Sequence, residues 1–574
     1  NVEPSSFLKG VLDVINDQEE QWPWLFSDDD DDDDEITETS EMTKIAPKGV
    51  SKEKCHSDSK NSQETTELAS PKPLTEIQLR VQALEQKESA RLLQKFNARC
   101  KSPKYRTMLA QRSRLPAYQM AEDIMRQIDY AQVVVVSGET GCGKTTQLPQ
   151  IVLDALLKRG EGARCNMICT QPRRISAIGV AERVAAERTE NIGQTVGYQI
   201  RLETRRSKQT RLLFCTTGVL LRRLQCDPSL KGVSHIFVDE IHERDLNTDF
   251  LLIILKDLIR ARPGLKLILM SATLNAQMFA EYFSLSKDVV QSQCPIIEIP
   301  GRTFNVTAYM LEDALEATGH IIDSSSECAR RDGGKPKRGK SRKITASSSA
   351  EDAEIPAPTR EELKAMFPHA SKAVIESLMI ADETVINYDL IEELVDHIHE
   401  NAEAYAPPTT TTTTTARPKK TVENNGAILI FMPGLMEITT LYDRLRLKDV
   451  DQFKVYPLHS SLSTQEQKSV FERPPPGVRK VVIATNIAET SITIDDVVFV
   501  IDAGRVKENR YDHERRMAML VETWVSRASA KQRRGRAGRV QPGVCFHLFS
   551  SRTERRILSD YTMPEMLRVP LHEM

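Results

Sequence analysis

The sequence predicts an α/β protein with two domains in tandem, each a parallel sheet with helices on both faces. Three observations predict it. From Ala131 onward, short β-branched runs alternate with helical stretches, as strand–helix–strand units do. A second series of the same kind follows after a break. A glycine-rich turn separates the first strand from the first helix, which is where such sheets hold ligands.

The elements follow in order. Residues 1–75 are polar, carry seven consecutive Asp (Asp28–Asp34), and hold 19 acids against 7 bases. Such a segment cannot bury enough apolar surface to fold, so it reads as a disordered acidic arm. Trp22, Trp24, Leu25 and Phe26 beside the Asp run suggest a docking motif for a protein partner or a stray apolar patch. From Glu76 to about Phe96 apolar residues recur at helical spacing. Strands are expected at Val133–Val136, Asn166–Cys169, Leu212–Cys215, His235–Val238 and Leu267–Met270. The second series is Ala427–Phe431, Lys480–Ala484, Val497–Ile501 and Val544–Leu548. Between the two lie low-complexity stretches read as surface insertions, 324–358 with the basic run Gly333–Lys343, and 407–420 with Thr409–Thr415. The stretch Arg360–His399 between them reads as helical and ordered.

Composition narrows the class. The chain has 574 residues and a formal net charge of -3. That total hides a split: the arm is strongly acidic and the remainder basic, a prior for nucleic-acid contact. No apolar run approaches the ~20 residues of a membrane span, and no signal peptide is visible. The ten Cys show no CxxC pair and no zinc spacing, so they read as thiols of a reducing, intracellular compartment, with the cytoplasm favoured over the nucleus. The start at Asn1 and the end at Met574 suggest a fragment of a longer protein.

The chemistry lies in three constellations. Gly138, Glu139, Thr140, Gly141, Cys142, Gly143, Lys144 and Thr145 form G-x-x-x-x-G-K-[ST], with Thr146 behind them. Glycines let backbone N–H groups close around a triphosphate, and the helix N-terminus favours its charge. Lys144 is expected on the β and γ phosphates and the Thr145 hydroxyl on Mg²⁺. Cys142 reads as a space-filler. Asp239 and Glu240 end the strand His235–Val238, where one acid can serve a metal and the other an attacking water. Gln532-Arg-Arg-Gly-Arg536-Ala-Gly-Arg539 is dense in Arg with Gly spacers, suited to arginine fingers on the γ-phosphate if the domains face each other.

These motifs, in their order, resemble the DEAH/DExH-box RNA helicases of superfamily 2, in the RNA-helicase-A-like branch. The matching segments are Gly138–Thr145, Thr170-Gln-Pro-Arg-Arg174, Thr216-Thr-Gly-Val-Leu-Leu-Arg222, Asp239–His242, Ser271-Ala-Thr273, Phe431-Met-Pro-Gly434, Thr485–Ile494 and Gln532–Arg539. The likeness covers about residues 105–574, apart from the insertions. The family's Asp-Glu-Ala-His stands here as Asp-Glu-Ile-His, which keeps both carboxylates and the His.

The resemblance implies two RecA-like domains, at 105–302 and 303–555, with a helical linker at 76–104 and the start of a winged helix at 556–574. It implies Asp239, with Thr145 and Glu240, at the metal, and Glu240 on the hydrolytic water, helped by Gln532. Arg536, Arg539 and Lys144 would stabilise charge on the phosphates. His242 and the Ser271–Thr273 turn would couple nucleotide state to domain movement. Asp495 would approach the ribose, and Arg183 and Phe471 the adenine; stacking reads bases poorly, so several NTPs are expected besides ATP. RNA contacts are implied for Arg173, Arg174, Thr216, Thr217 and Arg222 in the first domain, and for Thr485 and Asn486 in the second. Gly504–Trp524 resembles the family's strand-separating hairpin. The implied activity is NTP-driven 3′–5′ movement on single-stranded RNA, or on an RNA duplex with a single-stranded overhang. A nucleotide-gated RNA clamp and another P-loop NTPase are the rivals; duplex DNA and RNA–DNA hybrids stay open as substrates.

Overall fold

The computed structural model describes residues 76–571, apart from 140, 273–275, 285–293, 302–303, 331–357, 406–425, 449–451, 491–493, 513 and 540. The acidic arm, the basic run Gly333–Lys343, the Thr409–Thr415 tract, Thr140 and Thr273 therefore lie outside the described residues. One compact unit, residues 1–85 with Met574, contributes only the opening turns of the helix Glu76–Lys101; residues 86–573 form the other and hold both sheets.

The first sheet contains β1 (Val133–Gly138), β2 (Met167–Gln171), β3 (Val196–Ile200), β4 (Glu203–Arg205), β5 (Leu212–Thr216), β6 (His235–Val238), β7 (Lys266–Ser271) and β8 (Ile296–Ile299). Its order is β4-β3-β5-β2-β6-β7-β1-β8. Every pairing is parallel except β3 with β4. Helices cover both faces, so β1, β2 and β6 are buried along their whole length and read as mainly apolar runs.

The second sheet is built from β9 (Val306–Tyr309), β10 (Ala427–Phe431), β11 (Phe453–Leu458), β12 (Arg479–Ala484), β13 (Val497–Asp502) and a last strand, Gly543–His547. All its pairings are parallel. Between β13 and that last strand, β14 (Arg505–Asp512) and β15 (Met517–Trp524) form a separate antiparallel hairpin, paired from Arg505↔Trp524 to Asp512↔Met517. Helices Leu311–Thr318, Lys372–Ile380 and Tyr388–Glu400 pack into the second sheet's core.

Two departures from the sequence expectations have physical reasons. Strands β4, β8, β9 and β11 sit at sheet edges; an edge strand is half covered and shows no apolar run, and β11 even carries Pro457. The insertion expected to begin at 324 begins later: Cys328 and Ala329 are buried, and Ala329 bridges Ala381. Small polar residues disguised a packed turn as low complexity. Beyond the helix Ser551–Arg556 the described residues add one 3-10 turn, Glu565–Leu567; the winged helix rests on the sequence alone.

Candidate nucleotide site and domain interface

Parallel order puts the carboxyl ends of β1, β2, β6 and β7 on one edge, and the chemistry gathers there. The glycine-rich loop leaves β1 and enters the helix Lys144–Lys158. Gly141 and Gly143 adopt φ of +85° and +91°, values that L side chains resist. A Cβ on Gly138 would stand 2.9 Å from the Ile299 carbonyl. Lys144 is buried and donates to the Gly138 carbonyl at 2.5 Å. Cys142 is fully buried in the apolar core, as a space-filler is.

Asp239 is the hub of the first domain's acid cluster. Its Oδ2 accepts from Thr145 Oγ1 at 2.6 Å and from Gln171 Nε2 at 2.8 Å, and its Oδ1 accepts from the Glu240 N–H at 2.9 Å. Desolvation, then the adjacent Glu240 charge, push its pKa up to about 6. Burial also raises Glu240, opposed by Lys144, Arg173 and Arg539. Glu240 Oε2 is buried without a hydrogen-bond partner. Crowded carboxylates of this kind are ready to accept a cation.

A hydroxyl and an adjacent carboxylate are hard oxygen donors that suit Mg²⁺. Among the described residues no group of three or more His, Cys, Asp or Glu forms a complete metal cage.

His242 sits below this cluster. Its Nδ1 accepts from the Ala272 N–H at 3.2 Å, which leaves the proton on Nε2. Burial holds its pKa down at about 4, so the ring is neutral. The Asp239–His242 motif is thus joined directly to Ala272, which follows Ser271 at the end of β7. Glu240 and Arg244, at either end of this segment, both have left-handed backbone, φ +55° and +52°. Strain of that kind persists only where surroundings enforce it.

The second domain holds the expected arginines in buried positions, Arg536 against its own backbone. Arg536 is buried and donates to the Thr490 carbonyl at 3.1 Å. Burial lowers the Arg539 pKa to about 10, opposed by the charges of Asp495 and Glu240. Arg539 of one domain therefore feels Glu240 of the other. Lys531 pairs with Glu139 of the glycine-rich loop at 3.8 Å. Gln532 lines a cavity of about 430 Å³ between the domains, together with Arg173, His242 and Asn486.

The remaining expected residues divide. Asp495 is exposed, Phe471 is half exposed, and the Arg183 side chain is 61% exposed. Arg174, Arg222 and Asn486 are exposed, and Thr485 is buried. Two RNA expectations change. Thr217 is buried and its hydroxyl faces Thr248 Oγ1 at 3.4 Å, so it points inward. Arg173 donates to the Asn486 carbonyl at 2.7 Å and pairs with Glu243 at 3.2 Å, so it also serves the domain interface.

Sequence reasoning missed a buried network in the second domain. Arg533 bonds Asp502 at 2.7 Å and Glu489 at 3.0 Å, and His547 Nδ1 lies 3.1 Å from Asp502. Burial alone would raise the Asp502 pKa, but Arg533 and His547 hold it far below the usual range. A signal existed: an Asp closing an otherwise apolar strand, Val497–Asp502.

Comparison with known proteins adds to this geometry. The model for the DEAD/DEAH box helicase matches residues 118–281, and that for the helicase conserved C-terminal domain matches 414–541. The putative ATP-dependent RNA helicase DHX57 of Homo sapiens is 46% identical over 85% of this chain and 35% of its own. DExH-box ATP-dependent RNA helicase DExH1 of Arabidopsis thaliana is 47% identical over 82% of this chain and 44% of its own. The ATP-dependent DNA/RNA helicase DHX36 of Bos taurus is 45% identical over 82% of this chain and 44% of its own. The chain thus spans less than half the length of these relatives.

Proposed function

The chain belongs to the DEAD/DEAH box helicases, and on that premise we propose that it is an RNA-stimulated NTPase whose two domains move along single-stranded RNA, 3′ to 5′, as NTP is hydrolysed. The observation that carries the reading is geometric: Thr145 and Asp239 meet at 2.6 Å beside Glu240, while Lys531, next to Gln532 in the second domain, pairs with Glu139 of the glycine-rich loop at 3.8 Å. Hydrolysis needs a group on the water and cations on the γ-phosphate, and the two groups come from different domains.

In this reading Lys144 and the backbone of the glycine-rich loop bind the triphosphate. Thr145 and Asp239 would hold Mg²⁺, which would supply neutralisation of phosphate charge. Glu240 and Gln532 orient the water, and Glu240 takes its proton. Arg536 and Arg539 stabilise the charge that develops on the transferred phosphoryl group. Arg174, Arg222, Thr216, Thr485 and Asn486 bind the RNA backbone, with Arg173 split between RNA and the interface. Such contacts are sequence-independent and weaken steeply with salt. One relative is named a DNA/RNA helicase, which makes DNA a necessary arm of the test.

The test is NTP hydrolysis with and without single-stranded RNA or DNA, parent against Glu240→Gln. Hydrolysis that RNA stimulates and the substitution abolishes is expected. Hydrolysis indifferent to both sinks the reading, and RNA binding gated by NTP without turnover points to the clamp.

A further inference from the structure

Behind the glycine-rich loop lies a buried carboxylate that the chemistry above does not use. Glu187 ends the helix Arg174–Glu187 and is 2% exposed. Its Oε2 accepts from Gln147 Nε2 and Gln150 Nε2, both at 2.9 Å. Its Oε1 accepts from Arg183 Nε at 2.8 Å. Gln147 and Gln150 lie on the first turns of the helix that opens at Lys144. Both are tied to Thr146: Gln147 through the hydroxyl at 2.9 Å, Gln150 through the carbonyl at 2.8 Å. One carboxylate therefore joins the phosphate loop to Arg183. Behind it, buried Arg112 donates to Gln147 Oε1 at 2.9 Å and lies 3.9 Å from Glu187.

The asymmetry of this bridge is informative. An i,i+4 ion pair with an exposed partner stabilises a helix only slightly, which leaves stability a weak reason for it. The bond does constrain geometry. A free arginine side chain loses much rotamer freedom when a ligand immobilises it. Holding Nε beforehand removes part of that cost, which is how preorganisation raises affinity. It also leaves the flat faces of the guanidinium open for stacking.

We propose that Glu187 is a positioning residue: it pre-orients Arg183 for the base of the NTP and locks that orientation to the phosphate loop through Gln147 and Gln150. The inference rests on the nucleotide-site reading above. Because the carboxylate touches the arginine and not the base, its effect falls on all NTPs alike.

Glu187→Gln tests it in an isosteric side chain. An amide can present its oxygen to one side only, and the two glutamine donors claim it, so the NH₂ faces Arg183 and the bond is lost. Steady-state hydrolysis of ATP and CTP is measured for the parent, Glu187→Gln, Arg183→Ala and the double variant. Roughly a tenfold rise in KM for both nucleotides, with kcat within about twofold, is expected for each single variant. The double variant is expected to match Arg183→Ala, since both remove one interaction. Arg183→Lys, at an exposed position that cannot unfold the protein, is expected to raise KM as Arg183→Ala does. An unchanged KM in Glu187→Gln, effects that multiply in the double variant, or a loss confined to kcat overturns the inference while leaving the site intact. A parent that hydrolyses no NTP overturns the site reading and this inference with it.

Discussion

Glu243 of the first domain accepts a hydrogen bond from the hydroxyl of Thr490 in the second, while its other oxygen pairs with Arg173 at 3.2 Å. Arg173 in turn donates to the Asn486 carbonyl. Four residues that follow or belong to the sequence motifs, Glu243, Thr490, Arg173 and Asn486, thus form a latch across the domain interface. Hydrogen bonds to charged groups contribute about 1.5–3 kcal/mol. Glu243→Ala is therefore expected to shift the interdomain distance, measured between one spin label on each domain, toward longer values. Thr490→Val is expected to cause part of the same shift, and the double variant no more than Glu243→Ala alone. An unchanged distribution in Glu243→Ala would refute the latch.

Glu240→Gln keeps the shape of the side chain and removes the base. A positioned general base contributes roughly 10²- to 10⁴-fold, so kcat for NTP hydrolysis is expected to fall by that factor. Binding of a fluorescent nucleotide is expected to survive, because Lys144, Thr145 and Asp239 are untouched. Loss of binding together with turnover would assign Glu240 to the metal instead.

Asp502 and Arg533 are both fully buried, and removing one partner of such a pair leaves an uncompensated charge. Asp502→Asn is expected to cost on the order of 3–5 kcal/mol. That corresponds to a fall of roughly 10 °C in the melting temperature of the second domain. Asp502→Leu with Arg533→Met and Glu489→Gln is expected to recover part of it, because neither carboxylate is then left without its cation. A melting curve of Asp502→Asn that overlays the parent's would show the network to be expendable.

His235 gives the first domain an acid-sensitive stability. Burial, then the neighbouring Lys266, lower its pKa from about 6.5 to about 4. The unfolded chain therefore binds a proton that the folded chain refuses between those values. The associated stability is present above pH ~6.5 and is lost as pH falls toward ~4, by on the order of 3 kcal/mol. His235→Gln is expected to flatten that part of the stability profile, measured by denaturant unfolding from pH 7.5 to 4.5. A variant as acid-sensitive as the parent would assign the slope to other groups.

Much of this protein was legible from residue order alone. Two α/β domains, the phosphate loop, Asp239 and Glu240 and the arginine-rich segment all follow from local rules: buried parallel strands read as apolar runs, and phosphate chemistry demands glycines and cations at fixed spacing. Edge strands such as β11 escaped, because one-sided burial leaves a mixed pattern. The packed turn at Cys328 escaped because small polar residues look alike in a loop and in a core.

What the tertiary structure decided is which side chains meet. Glu187 and Arg183 are four residues apart, but the glutamines that fix Glu187 come from another helix. Glu243 and Thr490 are 247 residues apart, and no spacing rule links them. Thr217 and Arg173 have RNA-binding side chains by type, yet one points into the core and the other across the interface. Local sequence sets the backbone and the chemistry available at each position. Orientation and partnership depend on long-range packing, which brings distant groups within 3 Å and removes the water that would otherwise screen them.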